Sequence, residues 1–194
     1  MGLKEIRNAK KKEEILRSAA KIVTCKGYHG ATMEDIAAEL LMTKGALYYY
    51  FNSKEDLIYQ CHELILSEAI CTLESYLEEN ISSEDKLKKA IITHIDFAIK
   101  EKETFNLIVK PEHTFSLDRL HPMLKKRLDY ARIFDAIIQQ GIDNGEFKIQ
   151  ETTMARMMLL GAMNWVQQWY SPAGKRSKEE ISEIYSEYLI KIVK

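Results

Sequence analysis

Three helix starts crowd into Thr32 to Leu57, TMEDIAAELLMTKGALYYYFNSKEDL, and no other stretch constrains the fold of this chain as tightly. Thr32 precedes Asp35 by three residues, Thr43 stands ahead of a second run, and Ser53 precedes Asp56 by three residues. A hydroxyl at an N-cap accepts a bond from a backbone N–H that the helix leaves unpaired. A carboxylate in the first turn is favoured by the positive end of the helix dipole. The segments between these starts are short, so the chain must double back sharply. Two short helices joined by a tight turn form a helix-turn-helix, whose second helix can enter the major groove of duplex DNA.

At 194 residues the chain can bury a substantial core and hold one or two helical domains. No apolar run approaches the roughly 18 residues of a membrane span, so no membrane partner is expected. The N-terminal MGLKEIRNAKKKEE lacks the apolar core of a secretory signal. Cys25, Cys61 and Cys71 are odd in number and lack CxxC spacing, which argues against a disulfide framework or a structural zinc and for a reducing compartment. The expected location is cytoplasmic. Net charge is −1, but residues 1–60 carry ten Lys or Arg against eight Asp or Glu, while 61–194 carry eighteen against twenty-one. Lys4, Arg7, Lys10, Lys11 and Lys12 face only Glu5 within residues 1–12. A basic arm ahead of a helix-turn-helix is a candidate phosphate contact, and a solvated terminus is the plainer alternative.

Helical periodicity runs almost throughout, so the expected class is all-α with about nine helices. Ile15, Ala19, Ile22 and Val23 form a stripe that stops at Lys26-Gly27. Short helices are expected near 33–40 and 44–50, a long one from Ser53 to about Asn80, and a largely apolar, central one from Ser82 or Ser83. An irregular stretch is expected between Pro111 and Pro122, followed by a long helix to Asp143-Asn144-Gly145. One more helix spans about Glu151 to Tyr170, and the last starts at Ser177 with Glu180 in the capping-box position.

Within the helix-turn-helix, Ile36, Leu40, Leu47 and Phe51 are placed to hold three helices together. Thr43, Lys44, Gly45, Tyr48 and Tyr49 are left facing outward. A helix N-terminus offers free N–H groups to phosphate, and Lys44 adds a cation there. Gly45 permits close backbone approach. Tyrosine hydroxyls can donate to phosphate oxygens, and their rings can touch thymine methyls. Lys54 can grip a neighbouring phosphate. A Tyr48-Tyr49-Tyr50 run alone is more often packing; its order after a glycine at a helix start is what favours recognition.

The segment Ile15 to Leu57, with ATMEDIA, TKGALYYYF and SKEDL, resembles the N-terminal domain of the tetracycline-repressor (TetR) family of bacterial transcription regulators. The resemblance implies a DNA-binding domain over 9–69 and a helical effector-binding and dimerisation domain over 70–194. It implies that Thr32 and Thr43 cap helices and touch phosphate, that Lys44, Gly45 and Ala46 approach bases, and that Tyr48 and Tyr50 contact the DNA backbone. Lys54 would sit against a phosphate, and Tyr49 would help set sequence preference. One departure is Leu41, where the family usually has glycine; strain or a reshaped turn is expected there.

The resemblance further implies a homodimer, its last two helices pairing with their counterparts, on a palindromic operator with recognition helices about 34–36 Å apart. The residues are compatible with that. Met154, Met157, Met158, Gly161, Ala162, Trp165 and Trp169 form one broad apolar face, and Ile181, Ile184, Tyr185, Tyr188, Leu189 and Ile192 form another. Gly161, Trp165, Trp169, Ile184 and Tyr188 are the candidate interface, with an internal core face as the alternative.

The stretch NWVQQWYSP followed by GKRSKEEISEIY is similar to C-terminal domains of TetR-type regulators of fatty-acid, steroid and aromatic acyl-CoA breakdown. A small hydrophobic effector is therefore expected, an acyl-CoA foremost, with a drug-like compound at an efflux or stress gene as the alternative. His94, Phe97, Phe134, Met157 and Met158 are candidate pocket residues, although a satisfied core histidine is the commoner reading of His94. A di-iron bundle needs Glu-x-x-His pairs, and the residues three before the five histidines are Lys26, Tyr59, Ile91, Lys110 and Asp118. No metal, no cofactor and no enzymatic activity are expected; a repressor released by its effector is.

Overall fold

The expected caps form. The Thr32 hydroxyl accepts from Asp35 N–H at 3.1 Å while the Asp35 carboxylate accepts from Thr32 N–H at 2.9 Å. Thr43 Oγ1 accepts from Ala46 N–H at 3.1 Å, and Ser53 Oγ accepts from Asp56 N–H at 3.0 Å. Ser82 and Ser177 cap later helices in the same way. The computed structural model describes residues 2–102 and 114–194. Among these lie eight α-helices: α1 (Leu3–Lys26), α2 (Met33–Glu39), α3 (Lys44–Tyr50), α4 (Lys54–Leu77), α5 (Ser83–Lys100), α6 (Leu117–Asp143), α7 (Thr152–Trp169) and α8 (Lys178–Leu189). A short 3-10 turn, Ile190–Ile192, follows α8.

One boundary differs from expectation. The long helix α6 begins at Leu117, so Pro122 lies inside it rather than ahead of it. Ser116 is the residue before that helix, and its N–H and hydroxyl both reach the Glu55 carboxylate, each at 2.8 Å. Pro111 falls outside the described residues. α1 runs from Leu3, so the basic residues of the N-terminal segment lie on its first turns.

The chain divides into two compact units, Met1–Ile65 with Glu103–Leu124 and Leu66–Lys102 with Lys125–Lys194. The first therefore takes in the start of α6, a stretch that the sequence assigns to the larger domain. Its core gathers Ile15, Ala19, Val23, Ile36, Leu47, Phe51, Leu57 and Ile58, all buried. Leu40 packs there half-buried. Asp56 is buried in this unit and accepts from Asn52 N–H, Gln60 and Arg119. Burial alone would raise its pKa, but those hydrogen bonds and the guanidinium outweigh it and hold the carboxyl below its usual range. In the second unit α5 packs against both α7 and α8. Leu87, Ile91 and Ile95 meet Phe134, Ile137, Leu159, Met163 and Val166 in its core. The central role expected of α5 holds, with Phe97 half-buried against the same core and Ile92 also half-buried.

The turn between α2 and α3 is a Schellman motif: Met42 N–H donates to Ala37 C=O at 2.8 Å and Leu41 N–H to Ala38 C=O at 3.1 Å. The geometry demands a left-handed residue, and Leu41 supplies it with φ +52° while its side chain is 95% exposed. An L-residue there costs roughly 1–2 kcal/mol, and no burial offsets it. Leu41→Gly is expected to raise stability by roughly 0.5–1 kcal/mol after the added freedom of the unfolded chain is counted, read as a higher urea midpoint at unchanged slope.

Candidate nucleic-acid interface and effector unit

In the first unit, α3 presents its N-terminal turn outward. Thr43, Lys44 and Gly45 are exposed and Ala46 is half-exposed. Leu47 points inward, and Tyr48 and Tyr49 are 42% and 73% exposed. Tyr50 is half-buried against the core and stands edge-on to Tyr49, ring centroids 5.0 Å apart. At Gly45 a β-carbon would meet no heavy atom within 4 Å. Packing within the protein therefore does not require glycine, and the space is left to whatever approaches from outside. Beside Tyr50, Lys4, Arg7, Lys10 and Lys11 of α1 line an open groove of about 750 Å³. Glu14 also lines it and pairs with Lys11, so Lys4, Arg7 and Lys10 share one surface with an aromatic of α3, a suitable track for phosphates.

Two lysines are not the free cations that spacing implied. Lys54 donates to the backbone carbonyls of Tyr28 and Ala31 and lies 4.5 Å from the centroid of the Tyr28 ring. An ammonium has three N–H donors, so one remains for a phosphate, and the side chain also ties the start of α4 to the loop before α2. Lys44 pairs with Glu34 of α2 and sits 5.8 Å from the centroid of the Tyr48 ring. The Glu34 hydrogen bond raises the Lys44 pKa and Lys44 lowers that of Glu34, so both are charged at neutral pH. Glu34 carries no spacing signal that would have marked it.

In the second unit His94 is buried between Tyr130 of α6 and Asn164 of α7. Nδ1 lies 2.7 Å from the Tyr130 hydroxyl and Nε2 lies 3.1 Å from Asn164 Oδ1. Because an amide oxygen only accepts, Nε2 carries the proton and Nδ1 accepts from tyrosine. Burial lowers the His94 pKa to about 4 against the opposing effect of Asn164, and burial raises that of Tyr130. The imidazole is neutral and its two nitrogens are both engaged, as a core histidine's would be. The His94 and Phe134 rings meet edge-on at 6.2 Å. Phe97 is half-buried against the same core and lines a shallow groove of about 280 Å³ with Thr72, Asp96 and Lys100.

Met157 and Met158 do not join that cluster. They are 57% and 59% exposed on α7, on the face that carries Gly161, Trp165 and Trp169. Trp165 is 65% exposed, and a β-carbon at Gly161 would meet nothing within 4 Å. On α8 Tyr188 is exposed and Ile184 half-buried, and the Trp169 ring lies 6.4 Å from that of Tyr185. The sequence missed Tyr130 and Asn164 as partners of His94, because no periodicity links residues on three separate helices.

A capped three-helix module with an outward N-terminal turn, flanked by cations, defines a DNA-binding helix-turn-helix protein. Comparison with known proteins places it further. Residues 15–61 match the family model for bacterial regulatory proteins of the tetR family, and residues 80–193 match that for the tetracyclin repressor-like C-terminal domain. The chain belongs to the TetR family of DNA-binding transcription regulators. It is 24% identical over 155 residues to the fatty acid metabolism regulator protein of Bacillus subtilis, covering 78% of each chain. The fold superposes on the TetR-family regulator PfmR of Thermus thermophilus with a TM-score of 0.83 at 26% identity, covering 91% of this chain and 97% of that one. It also matches the regulator FadR of Bacillus subtilis in complex with stearoyl-CoA, with a TM-score of 0.75 at 22% identity, covering 93% and 98%.

Gly45→Leu should leave the melting temperature unchanged or raised, since leucine favours helix over glycine by about 0.8 kcal/mol, yet reduce duplex affinity at least tenfold in fluorescence anisotropy. His94 gives a pH prediction. Its folded pKa of about 4 lies below the unfolded value of about 6.5. Its neutral form therefore supports the fold fully above that unfolded value, and the contribution is lost as pH falls toward the folded one. Urea unfolding from pH 8 to 5 should be flat above pH 6.5 and lose up to about 1.4 kcal/mol per unit below it, a slope absent from His94→Phe.

Proposed function

We propose that this regulator is a cytoplasmic homodimeric repressor, released from a palindromic operator by a hydrophobic acyl effector, an acyl-CoA. The observation that carries the dimer is the exposed stripe of α7: Met154, Met157, Met158, Trp165 and Trp169 lie on one helix face around Gly161, with Tyr188 exposed on α8. So much contiguous apolar side chain at the surface marks an association face, and an identical partner satisfies it by two-fold symmetry. Gly161 lets two such helices approach closely. Met157 and Met158 belong to this face in the proposal.

The acyl-CoA reading draws support from relatives. One carries fatty-acid metabolism in its name, and a solved neighbour holds stearoyl-CoA. We place the acyl group in the second unit, beside His94, Phe97 and Phe134. There His94 and Tyr130 are buried beside an apolar core, and Asn164, exposed, joins them from α7; these groups can re-pair with a thioester carbonyl. Energy is sufficient: about 0.8 kcal/mol per buried methylene gives around 6 kcal/mol for eight carbons. Shifting a conformational equilibrium from 1:99 to 99:1 takes about 5.5 kcal/mol.

Operator binding titrated with stearoyl-CoA, octanoyl-CoA and free CoA tests the release. Acyl-CoA should displace the protein and raise its melting temperature, while free CoA does neither; indifference to both acyl chains removes the effector. Trp165→Glu, followed by sedimentation, should give a folded monomer that no longer binds the operator tightly. A wild-type monomer would overturn the dimer.

A further inference from the structure

Glu34 is out of place on a face that meets phosphates. It is the second residue of α2, and its carboxylate holds the ammonium of Lys44, the first residue of α3. Both side chains are more than half exposed, 58% and 54%. Exposed ion pairs contribute little to stability, and α2 and α3 are already joined by the Schellman turn and by buried Ile36 and Leu47. A fixed negative charge here also subtracts from the phosphate attraction on which DNA affinity rests. As a first-turn carboxylate Glu34 suits the α2 dipole, but that role does not require it to hold Lys44. The pairing itself bears on selectivity.

The major groove has few donors at its base edges. Cytosine presents N4–H₂ and adenine N6–H₂, whereas guanine presents the acceptors O6 and N7. A carboxylate is matched by cytosine N4 and an ammonium by guanine O6 and N7. Here one acceptor and one donor are already held side by side at the N-terminal turn of α3. Beside them stands the Tyr48 ring, on which the ammonium also rests. Gly45, with open space where its side chain would be, lets that turn come close. Pairing with Glu34 also keeps Lys44 from collapsing onto the nearest phosphate, which any sequence would offer.

We infer that Glu34 and Lys44 form a composite reader of one G·C base pair in each half-site, Glu34 accepting from cytosine N4 and Lys44 donating to guanine. Glu34 is then a specificity-determining residue. It lowers affinity for duplex in general while selecting one pair.

The test is selection of randomised duplexes by the full-length wild type, Glu34→Gln and Lys44→Met, followed by anisotropy on the wild-type consensus and on an unrelated duplex. Matched melting curves for the three proteins establish that the variants are folded. The wild type should enrich a motif with a G·C column in each half-site. Glu34→Gln should lose the preference at that column, about 5- to 150-fold from a discrimination of 1–3 kcal/mol, and bind the unrelated duplex more tightly. Lys44→Met should flatten the same column. A wild-type motif without such a column overturns the inference, as does an unchanged motif in Glu34→Gln. Equal tightening on both duplexes would make Glu34 a mere subtraction of charge, and flattening of different columns by the two variants would dissolve the composite reader.

Discussion

The sharp reversal between α2 and α3 is the constraint on which the DNA-facing unit depends. Ala37 and Ala38 carbonyls accept from Met42 and Leu41, which ends α2, and the Thr43 hydroxyl then starts α3 by accepting from Ala46 N–H. Between these events the chain must pass through the left-handed region, and Leu41 does so without glycine's freedom. The strain is tolerated because both flanking helices are anchored by fully buried side chains, Ile36 on one and Leu47 on the other. Once the reversal is made, the N-terminal turn of α3 is committed to solvent and everything presented there follows.

Cations in this protein divide by what their neighbours need. Lys54 serves two carbonyls of the loop before α2, and Lys86, buried, donates to the Leu77 carbonyl at the end of α4. Those ammonium groups replace partners that a helix end or a turn would otherwise lack. Lys4, Arg7 and Lys10 instead share an open groove beside Tyr50, where Lys11 is paired with Glu14. Arg119 and Ser116, at the head of α6, meet Asp56 and Glu55 at the head of α4. A charge count along the sequence treats all of these alike.

The apolar stripes show a related ambiguity. The periodicities of α5 and α7 both predict a helix with a hydrophobic face, and both helices form. Yet Ile91 and Ile95 end in the core, while Trp165 and Met158 end at the surface. Spacing identifies which residues share a face and leaves open what that face meets. His94 is the same problem for a polar group: its place on an apolar helix was legible, but its partners come from α6 and α7.

Local chemistry determined by the sequence itself includes the capped helix starts, the short segments of the helix-turn-helix and the outward set Thr43, Lys44, Gly45, Tyr48 and Tyr49. Each depends on neighbours within about four residues, where backbone hydrogen bonding sets the outcome. Tertiary structure alone decided that Lys44 faces Glu34, that Lys54 turns to Tyr28 and Ala31, that His94 meets Tyr130 and Asn164, and that the face shared by Met157 and Trp165 is exposed. Most of those outcomes join residues on different elements. Helical periodicity specifies a direction around one axis and carries no information about which other axis lies opposite.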